Sequence, residues 1–192
     1  MSKSRLEAFS DGVLAIIITI MVLELRPPHA TDLTDLRPLL PSFIGYALSF
    51  VMIGIYWSNH HHLLQAVQKI HGPVLLANLH LLFWLSLIPF FTAWMGETGF
   101  EKPWPVALYG LDLLLAACAY SILVRVLLAL HGARSTLARA IGNDFKGYIS
   151  LALYTAALPA AFIYPWLAYG MYIVVALIWI VPDRRIEKVL PR

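Results

Sequence analysis

Long segments of this chain contain no charged residue. None occurs between Leu39 and Ser58, and none occurs between Tyr148 and Val181. A helix that crosses a bilayer needs about 20 predominantly apolar residues, so each segment is long enough for at least one crossing. Over the whole chain 60% of residues are hydrophobic and 13% are charged, against roughly 45–50% and 25% in soluble domains. This balance excludes a soluble globular protein, a disordered chain and a nucleic-acid-binding protein.

The apolar segments and the polar or proline-containing stretches between them predict six transmembrane helices. The predicted spans cover about 4–25, 39–65, 74–95, 106–130, 147–163 and 166–181. Pro159, Pro165 and Gly170 supply the break that divides the last uncharged stretch into a tight hairpin, and a single strongly tilted helix is the alternative there. The expected fold class is all-α, a polytopic membrane protein with one six-span domain over residues 1–192.

Lysine and arginine are distributed unevenly about these spans. One side holds three of them, Arg26, Arg37 and Lys102. The side that carries both termini holds eleven, Lys3, Arg5, Lys69, Arg125, Arg134, Arg139, Lys146, Arg184, Arg185, Lys188 and Arg192. Because basic residues accumulate on the cytoplasmic side of membrane proteins, both termini are expected in the cytoplasm. The first segment is interpreted as a mature helix and not as a signal peptide, because polar Ser10-Asp11 interrupts it and no small-residue cleavage site follows.

The sequence carries no motif for enzymatic chemistry. It has no HExxH zinc motif and none of the paired carboxylates or Ser/His pairs that intramembrane hydrolases need. The run His60-His61-His62 lacks the i,i+3 or i,i+4 spacing that puts two ligands on one helix face, and Cys118 has no partner cysteine. We therefore expect no enzyme, no cofactor and no bound metal.

One carboxylate, Asp112, falls inside a predicted span. An unpaired carboxylate in the membrane is costly and is a functional-site hypothesis by default. Asp112 lies about two helical turns from the outer end of its span, so snorkelling or protonation would also accommodate it.

The first predicted helix carries the pattern Arg-x-x-x-Phe-Ser-Asp-Gly, from Arg5 to Gly12. With this pattern the chain resembles the transmembrane protein 175 family of lysosomal and prokaryotic potassium channels. Trp57-x-x-His60, Asn78-Leu79 and Pro89-Phe90 continue the likeness, which ends by motif at about residue 95. The resemblance implies a potassium-permeable channel without a TVGYG-type filter, and no such filter sequence occurs in this chain.

In that family the first helices line a central pore, and single-repeat prokaryotic members assemble from four identical subunits. The resemblance therefore implies a homotetramer in the lipid of a prokaryotic inner membrane, with potassium ions as the permeant partner and no nucleic acid. It places the hydrophobic constriction on Ile16, with Thr19 and Leu23 further outward. These three residues share a helix face by their spacing alone, and a hydrophobic ring can gate a pore by dewetting.

Other roles for this face stay open. It could pack or contact lipid, with the Thr19 hydroxyl bonded back to the carbonyl of Ala15. If it lines a pore that strips most water from the ion, potassium passes more readily than sodium because its hydration shell is held less tightly. Thr19 hydroxyls would then supply oxygen ligands, and a modest preference for potassium is expected. Glu24 would attract cations to the outer mouth unless Arg26 cancels its charge.

Six polar residues fall at the cytoplasmic ends of the first three predicted spans: Arg5, Ser10, Asp11, Trp57, His60 and Asn78. We expect them to form one cluster, in which Arg5 balances a buried Asp11. The cluster either holds three helices together or positions the pore helix and influences gating. His60 would make it sensitive to pH between about 5 and 8.

Two other functions remain open from the sequence. A proton- or cation-coupled secondary transporter would use Asp11, Asp112 and His60, and it would show saturable, coupled flux. A non-conducting membrane assembly or accessory protein would show no flux at all.

Overall fold

The computed structural model describes residues 2–28, 32–67, 70–132, 135, 137–138 and 144–180. Within these residues the regular structure is helical, which confirms the predicted all-α fold class. The six α-helices are α1 (Lys3–Leu23), α2 (Leu40–Gln65), α3 (Gly72–Glu97), α4 (Pro103–His131), α5 (Phe145–Ile163) and α6 (Pro165–Ile180).

Five of the described helices are long and apolar enough to cross a membrane. The exception is α6, whose 16 residues extend about 24 Å against a hydrocarbon core of about 30 Å. The sixth predicted span, 166–181, is described as far as Ile180. Several basic residues of the predicted cytoplasmic side also lie outside the described part of the chain: Lys69, Arg134, Arg139, Arg184, Arg185, Lys188 and Arg192.

Prolines and polar caps set the ends of the helices. A proline occupies the first or second position of α2, α3 and α4, where its missing N–H costs nothing and its fixed φ favours a helix. The carboxylate of Asp144 accepts a hydrogen bond from the Gly147 amide at 3.0 Å and caps α5. A 3-10 helix over Leu33–Leu39 precedes α2, where the sequence predicted a loop, because Asp32 and Asp35 form a reciprocal capping box at its start.

The break between α5 and α6 lies at Tyr164 and Pro165. Pro159 and Gly170 were expected to contribute to it, but both lie inside helices. Pro165 begins a helix, where it needs no amide hydrogen bond. Pro159 is tolerated within α5 because neighbouring groups in a membrane bundle can satisfy the carbonyl that a proline frees.

The helices pack around α3 and α4, which make the most extensive contact between any two described helices. At one edge α1 packs against α2 and α3, and on the other side α5 and α6 pack against α4 and against each other. Two glycines allow close approach. A Cβ on Gly96 would lie 2.8 Å from the Ser42 Cα atom on α2, and a Cβ on Gly110 would overlap the Tyr172 hydroxyl on α6.

Candidate pore helix and polar cluster

The first helix has one buried side. Leu6, Ser10, Leu14, Ile17 and Met21 are its buried residues, and they recur at intervals of three or four, as one face of a helix requires. This face packs against α2 and α3. The opposite face is therefore left uncovered at the edge of the subunit.

We call that uncovered face the exposed stripe, defined by Arg5, Gly12, Ile16, Thr19 and Leu23. The side chain of Ile16 is 58% exposed and that of Leu23 is 77% exposed. Thr19 is also exposed, and it lies on the side of the helix directly opposite the buried face. The stripe joins all three sequence-predicted pore residues on one surface of the subunit.

The Thr19 hydroxyl donates a hydrogen bond to the Ile16 carbonyl at 2.8 Å. The expected acceptor for a hydrogen bond within the helix was the Ala15 carbonyl, so the observed acceptor is one residue later in the chain. Because this bond uses the hydroxyl proton, the lone pairs of the oxygen remain available. Thr19 therefore offers an oxygen ligand from the exposed stripe without a further side-chain rearrangement.

A buried hydrogen-bonded cluster joins α1, α2 and α3. The Asn78 side-chain amide donates to the Ser10 hydroxyl at 3.0 Å, and the Asn78 oxygen lies 2.7 Å from His60 Nε2. The Ser10 hydroxyl in turn donates to the Leu6 carbonyl at 2.9 Å. All three side chains are at most 2% exposed, so the polar atoms of Asn78 connect three helices in the interior of the protein.

The other predicted members of the cluster are arranged differently. Trp57 Nε1 donates to the Asp11 carboxylate at 3.0 Å, and both residues are exposed. Arg5 is exposed and makes no hydrogen bond or ion pair with the described residues. The expected pairing of Arg5 with a buried Asp11 is not formed, because six residues separate them by about 9 Å along the helix and about 120° around it.

Replacing Asn78 by leucine is expected to lower the free energy of unfolding by about 2–4 kcal/mol, because it leaves buried Ser10 and His60 without their shared partner. Equilibrium unfolding in detergent measures this change. Ser86→Ala is the matched control on the same helix, since Ser86 is exposed and bonds only the Phe83 carbonyl. Equal losses in the two variants would contradict a cluster that holds the three helices together.

The remaining histidines of the run contact neighbouring side chains of α2. His61 Nε2 lies 2.8 Å from the Gln65 side-chain nitrogen, and the His61 ring stacks on Trp57. Among the described residues no group of three or more His, Cys, Asp or Glu side chains could hold a metal ion.

Asp112 lies on α4 and is buried. It is 2% exposed on α4, and neither of its carboxylate oxygens has a hydrogen-bond partner among the described residues. Among the described residues no hydrogen bond or ion pair joins Asp112 to Asp11 or His60, the two other residues that a coupled transporter was expected to use.

One cluster of three hydroxyl groups in the core was not predicted from the sequence. The Ser49 hydroxyl on α2 lies 2.7 Å from the Thr92 hydroxyl on α3 and 3.0 Å from the Tyr109 hydroxyl on α4. The only signal for it in the sequence is that three hydroxyl residues interrupt three apolar spans at similar depth.

Comparison with known proteins connects this geometry to a family. The family model described as "Endosomal/lysosomal potassium channel TMEM175" matches residues 5–89. A potassium channel of Chryseobacterium sp. strain P1-3 is 54% identical over 190 residues, which cover 99% of this chain and 98% of that protein. This chain belongs to the TMEM175 family. The resemblance inferred from the first helix is thereby confirmed.

Two further comparisons extend the TMEM175 relationship. A potassium channel of Streptomyces collinus is 37% identical over 99 residues, 50% of this chain and 48% of that protein. The crystal structure of a homologue of the lysosomal potassium-selective channel TMEM175, from Chamaesiphon minutus, matches with a TM-score of 0.83. It is 28% identical and the match covers 94% of this chain and 97% of that chain. The TMEM175 family and these relatives are channels, not enzymes, and this chain is a multi-pass membrane protein.

Proposed function

We propose that the chain forms a homotetrameric, potassium-permeable channel whose pore is lined by the exposed stripe of α1. The observation that carries this proposal is the uncovered stripe itself, with Ile16, Thr19 and Leu23 in line and exposed on one surface of the subunit. Membership of the TMEM175 family and the names of its potassium-channel relatives support it.

Four copies arranged about an axis would place the stripes face to face. Ile16 and Leu23 would then form two apolar rings, with a ring of Thr19 hydroxyls between them. Arg5 precedes Leu23 by about five helical turns, so it would lie at the other mouth of the same pore. An apolar ring provides no ligand for an ion, and a narrow one closes the water column by dewetting.

The Thr19 ring supplies the only side-chain oxygen atoms that the described stripe offers between its two apolar rings. Its hydroxyl proton is held by the Ile16 carbonyl, so the oxygen faces the pore as an acceptor. An ion at this level replaces part of its hydration shell by these oxygens. Potassium releases water more readily than sodium, which gives a modest preference for potassium.

We place the protein in the prokaryotic inner membrane with both termini in the cytoplasm. The excess of lysine and arginine on one side of the six helices supports this orientation. In it, the Asn78 cluster lies at the cytoplasmic end of α1 and fixes the angle at which the pore helix leaves the bundle.

Ion flux in proteoliposomes tests the proposed function. Purified protein should have the mass of a tetramer and should carry potassium faster than sodium down an imposed gradient, without saturation and without a coupled ion. Saturable, coupled flux would support the transporter, and no flux from well-folded tetramer would support the accessory protein. Equal rates of potassium and sodium flux would show that the channel does not prefer potassium.

Replacing Thr19 by valine is expected to abolish the preference for potassium, while Thr19→Ser should retain it. Valine keeps the shape of threonine but has no oxygen, whereas serine keeps the hydroxyl and loses only a methyl group. The ratio of potassium to sodium flux in proteoliposomes measures the effect. A valine variant with unchanged selectivity would show that Thr19 does not coordinate the ion.

A further inference from the structure

A cavity of about 50 Å³ lies between α2, α4, α5 and α6. Its lining residues come from these four helices and from Asp144, which caps α5, so the cavity is separate from α1 and the exposed stripe. Because one water needs about 10–15 Å³ of such space, the cavity has room for about three to five groups of that size.

The cavity extends along the helix axes. Its lining runs from Met52 to Asn59 on α2 and from Gly147 to Tyr154 on α5, which is about 10 Å along each helix. At one end the Tyr154 hydroxyl donates to the Met52 sulfur at 3.8 Å, and at the other the Tyr120 hydroxyl donates to the Asn59 carbonyl at 3.3 Å. A space of this volume and length is narrow and has the proportions of a single alkyl chain.

The two ends of the cavity differ in polarity. Met52, Tyr154 and Val175 line its inner end, and all three are buried. Asn59 and Asp144 line its other end, where α2 ends and α5 begins. In the proposed orientation of the protein this polar end faces the cytoplasm. A molecule that fills the cavity would therefore be apolar along its length and polar at one end.

The charge at the polar end is negative. Asp144 is the one charged side chain among the described residues that line the cavity. It is exposed, its Oδ1 atom accepts a hydrogen bond from the Gly147 amide, and it forms no ion pair with a described residue. A Cβ on Gly147 would overlap Asp144 Oδ2, so the glycine lets the carboxylate lie against the wall of the cavity. Asp144 thus presents a fixed negative charge to the polar end.

An aromatic ring forms part of the wall beside this end. Trp179 lines the cavity from α6, and its Nε1 atom donates to the Ser150 hydroxyl at 2.8 Å. The ammonium group of Lys146 lies 5.8 Å from the centroid of the Trp179 ring, and Lys146 is not a lining residue. The positive charge of Lys146 is therefore engaged on that ring, and the Asp144 carboxylate remains the charge that an occupant of the cavity meets.

We propose that this cavity binds the protonated form of a single-chain alkylamine. The alkyl chain would lie between Met52, Tyr154 and Val175, and the ammonium group would pair with the Asp144 carboxylate. We call the cavity the amine site. It is a binding site within each subunit, beyond the proposed ion pore.

Other single-chain molecules match the amine site less well. A fatty-acid carboxylate would bring a second negative charge to Asp144, and like charges at short distance repel. An alcohol would fill the apolar part equally but would gain no ion pair. An ammonium group gains a charge-assisted hydrogen bond, which is stronger than a bond between neutral groups.

Titration calorimetry of the purified protein in detergent tests the amine site, with protein-free detergent subtracted. The probes are pentylamine, which is protonated at pH 7, and 1-pentanol and pentanoate, which have the same chain length. Pentylamine should bind with one molecule per subunit and at least fivefold more tightly than 1-pentanol, and pentanoate should bind more weakly than both. No saturable binding of pentylamine, or equal binding of pentylamine and 1-pentanol, would overturn the proposal.

Two variants locate the binding. Asp144→Asn should weaken pentylamine binding at least fivefold without loss of the helix cap, because asparagine caps helices as well as aspartate does. Ala117→Leu, which fills the cavity from α4, should weaken the binding of both pentylamine and 1-pentanol. Glu101→Gln is the matched control, since it removes one negative charge from an exposed residue between α3 and α4. Asp144→Asn protein that binds pentylamine as tightly as the Glu101→Gln protein would overturn the amine site.

The amine site and the potassium pore fail in different ways. Pentylamine binding is measured without any ion flux, so Asp144-dependent binding to protein that carries no potassium would leave the amine site in place and remove the pore. Potassium flux through protein that binds no pentylamine would do the reverse.

Discussion

Replacing Ile16 by asparagine is expected to raise potassium flux about tenfold and to reduce the preference for potassium over sodium. In the proposed pore four Ile16 side chains form an apolar ring, and four amides at the same level would keep that ring wet. Removing about 1.4 kcal/mol from the barrier that an ion meets there corresponds to a tenfold change in rate. Sodium, which keeps more of its water, gains most from a wetter ring.

Fluorescence quenching driven by an imposed ion gradient in proteoliposomes measures both fluxes. Ile122→Asn is the matched control, because Ile122 is 42% exposed on α4, away from the stripe. It makes the same chemical change on another surface of the subunit and should leave the flux unaltered. An unchanged rate and selectivity in Ile16→Asn, with a tetramer of normal mass, would place the constriction elsewhere.

Gly110→Ala is expected to destabilise the protein by about 3 kcal/mol, at the upper end of what overpacking a core usually costs. A Cβ at this position would overlap the Tyr172 hydroxyl and lie 2.7 Å from Tyr172 Cζ. Tyr172 cannot move aside at low cost, since it is fully buried and its hydroxyl donates to the Val106 carbonyl at 3.0 Å. The added methyl group therefore separates α4 from α6.

Thermal unfolding in detergent, with the fraction of intact tetramer as a second readout, measures this loss. Gly170→Ala is the control, because a Cβ there meets nothing within 4 Å, and alanine is the better helix former. It should be neutral or stabilising. A Gly110→Ala variant as stable as the wild type would mean that α4 and α6 do not approach as closely as described.

The helices could be predicted from the sequence because charge-free length is a direct requirement of the bilayer. The stripe of Ile16, Thr19 and Leu23 could be predicted because helical spacing alone puts these residues on one face. Each of these inferences depends on residues close together in the chain.

The features that the sequence did not reveal depend on where side chains lie in three dimensions, which the order of residues does not give. Arg5 and Asp11 are close in the chain, but they lie at different positions around α1. The ion pair that was expected from their closeness in sequence is therefore not formed. The contact of Ser49 with Thr92 and Tyr109 requires the relative depth of three helices, which no local pattern encodes. The lack of a hydrogen-bond partner for the buried Asp112 carboxylate among the described residues likewise follows from packing.

The turn at Tyr164 and Pro165 has a consequence for how the protein is made. One residue separates α5 from α6, and the stretch from Tyr148 to Val181 contains no charge. The insertion machinery therefore meets no hydrophilic segment at which it could halt between the two helices. We expect α5 and α6 to enter the bilayer together as one preformed unit during synthesis. The orientation of both helices is then set in one step, whereas two separately inserted helices would each need their own.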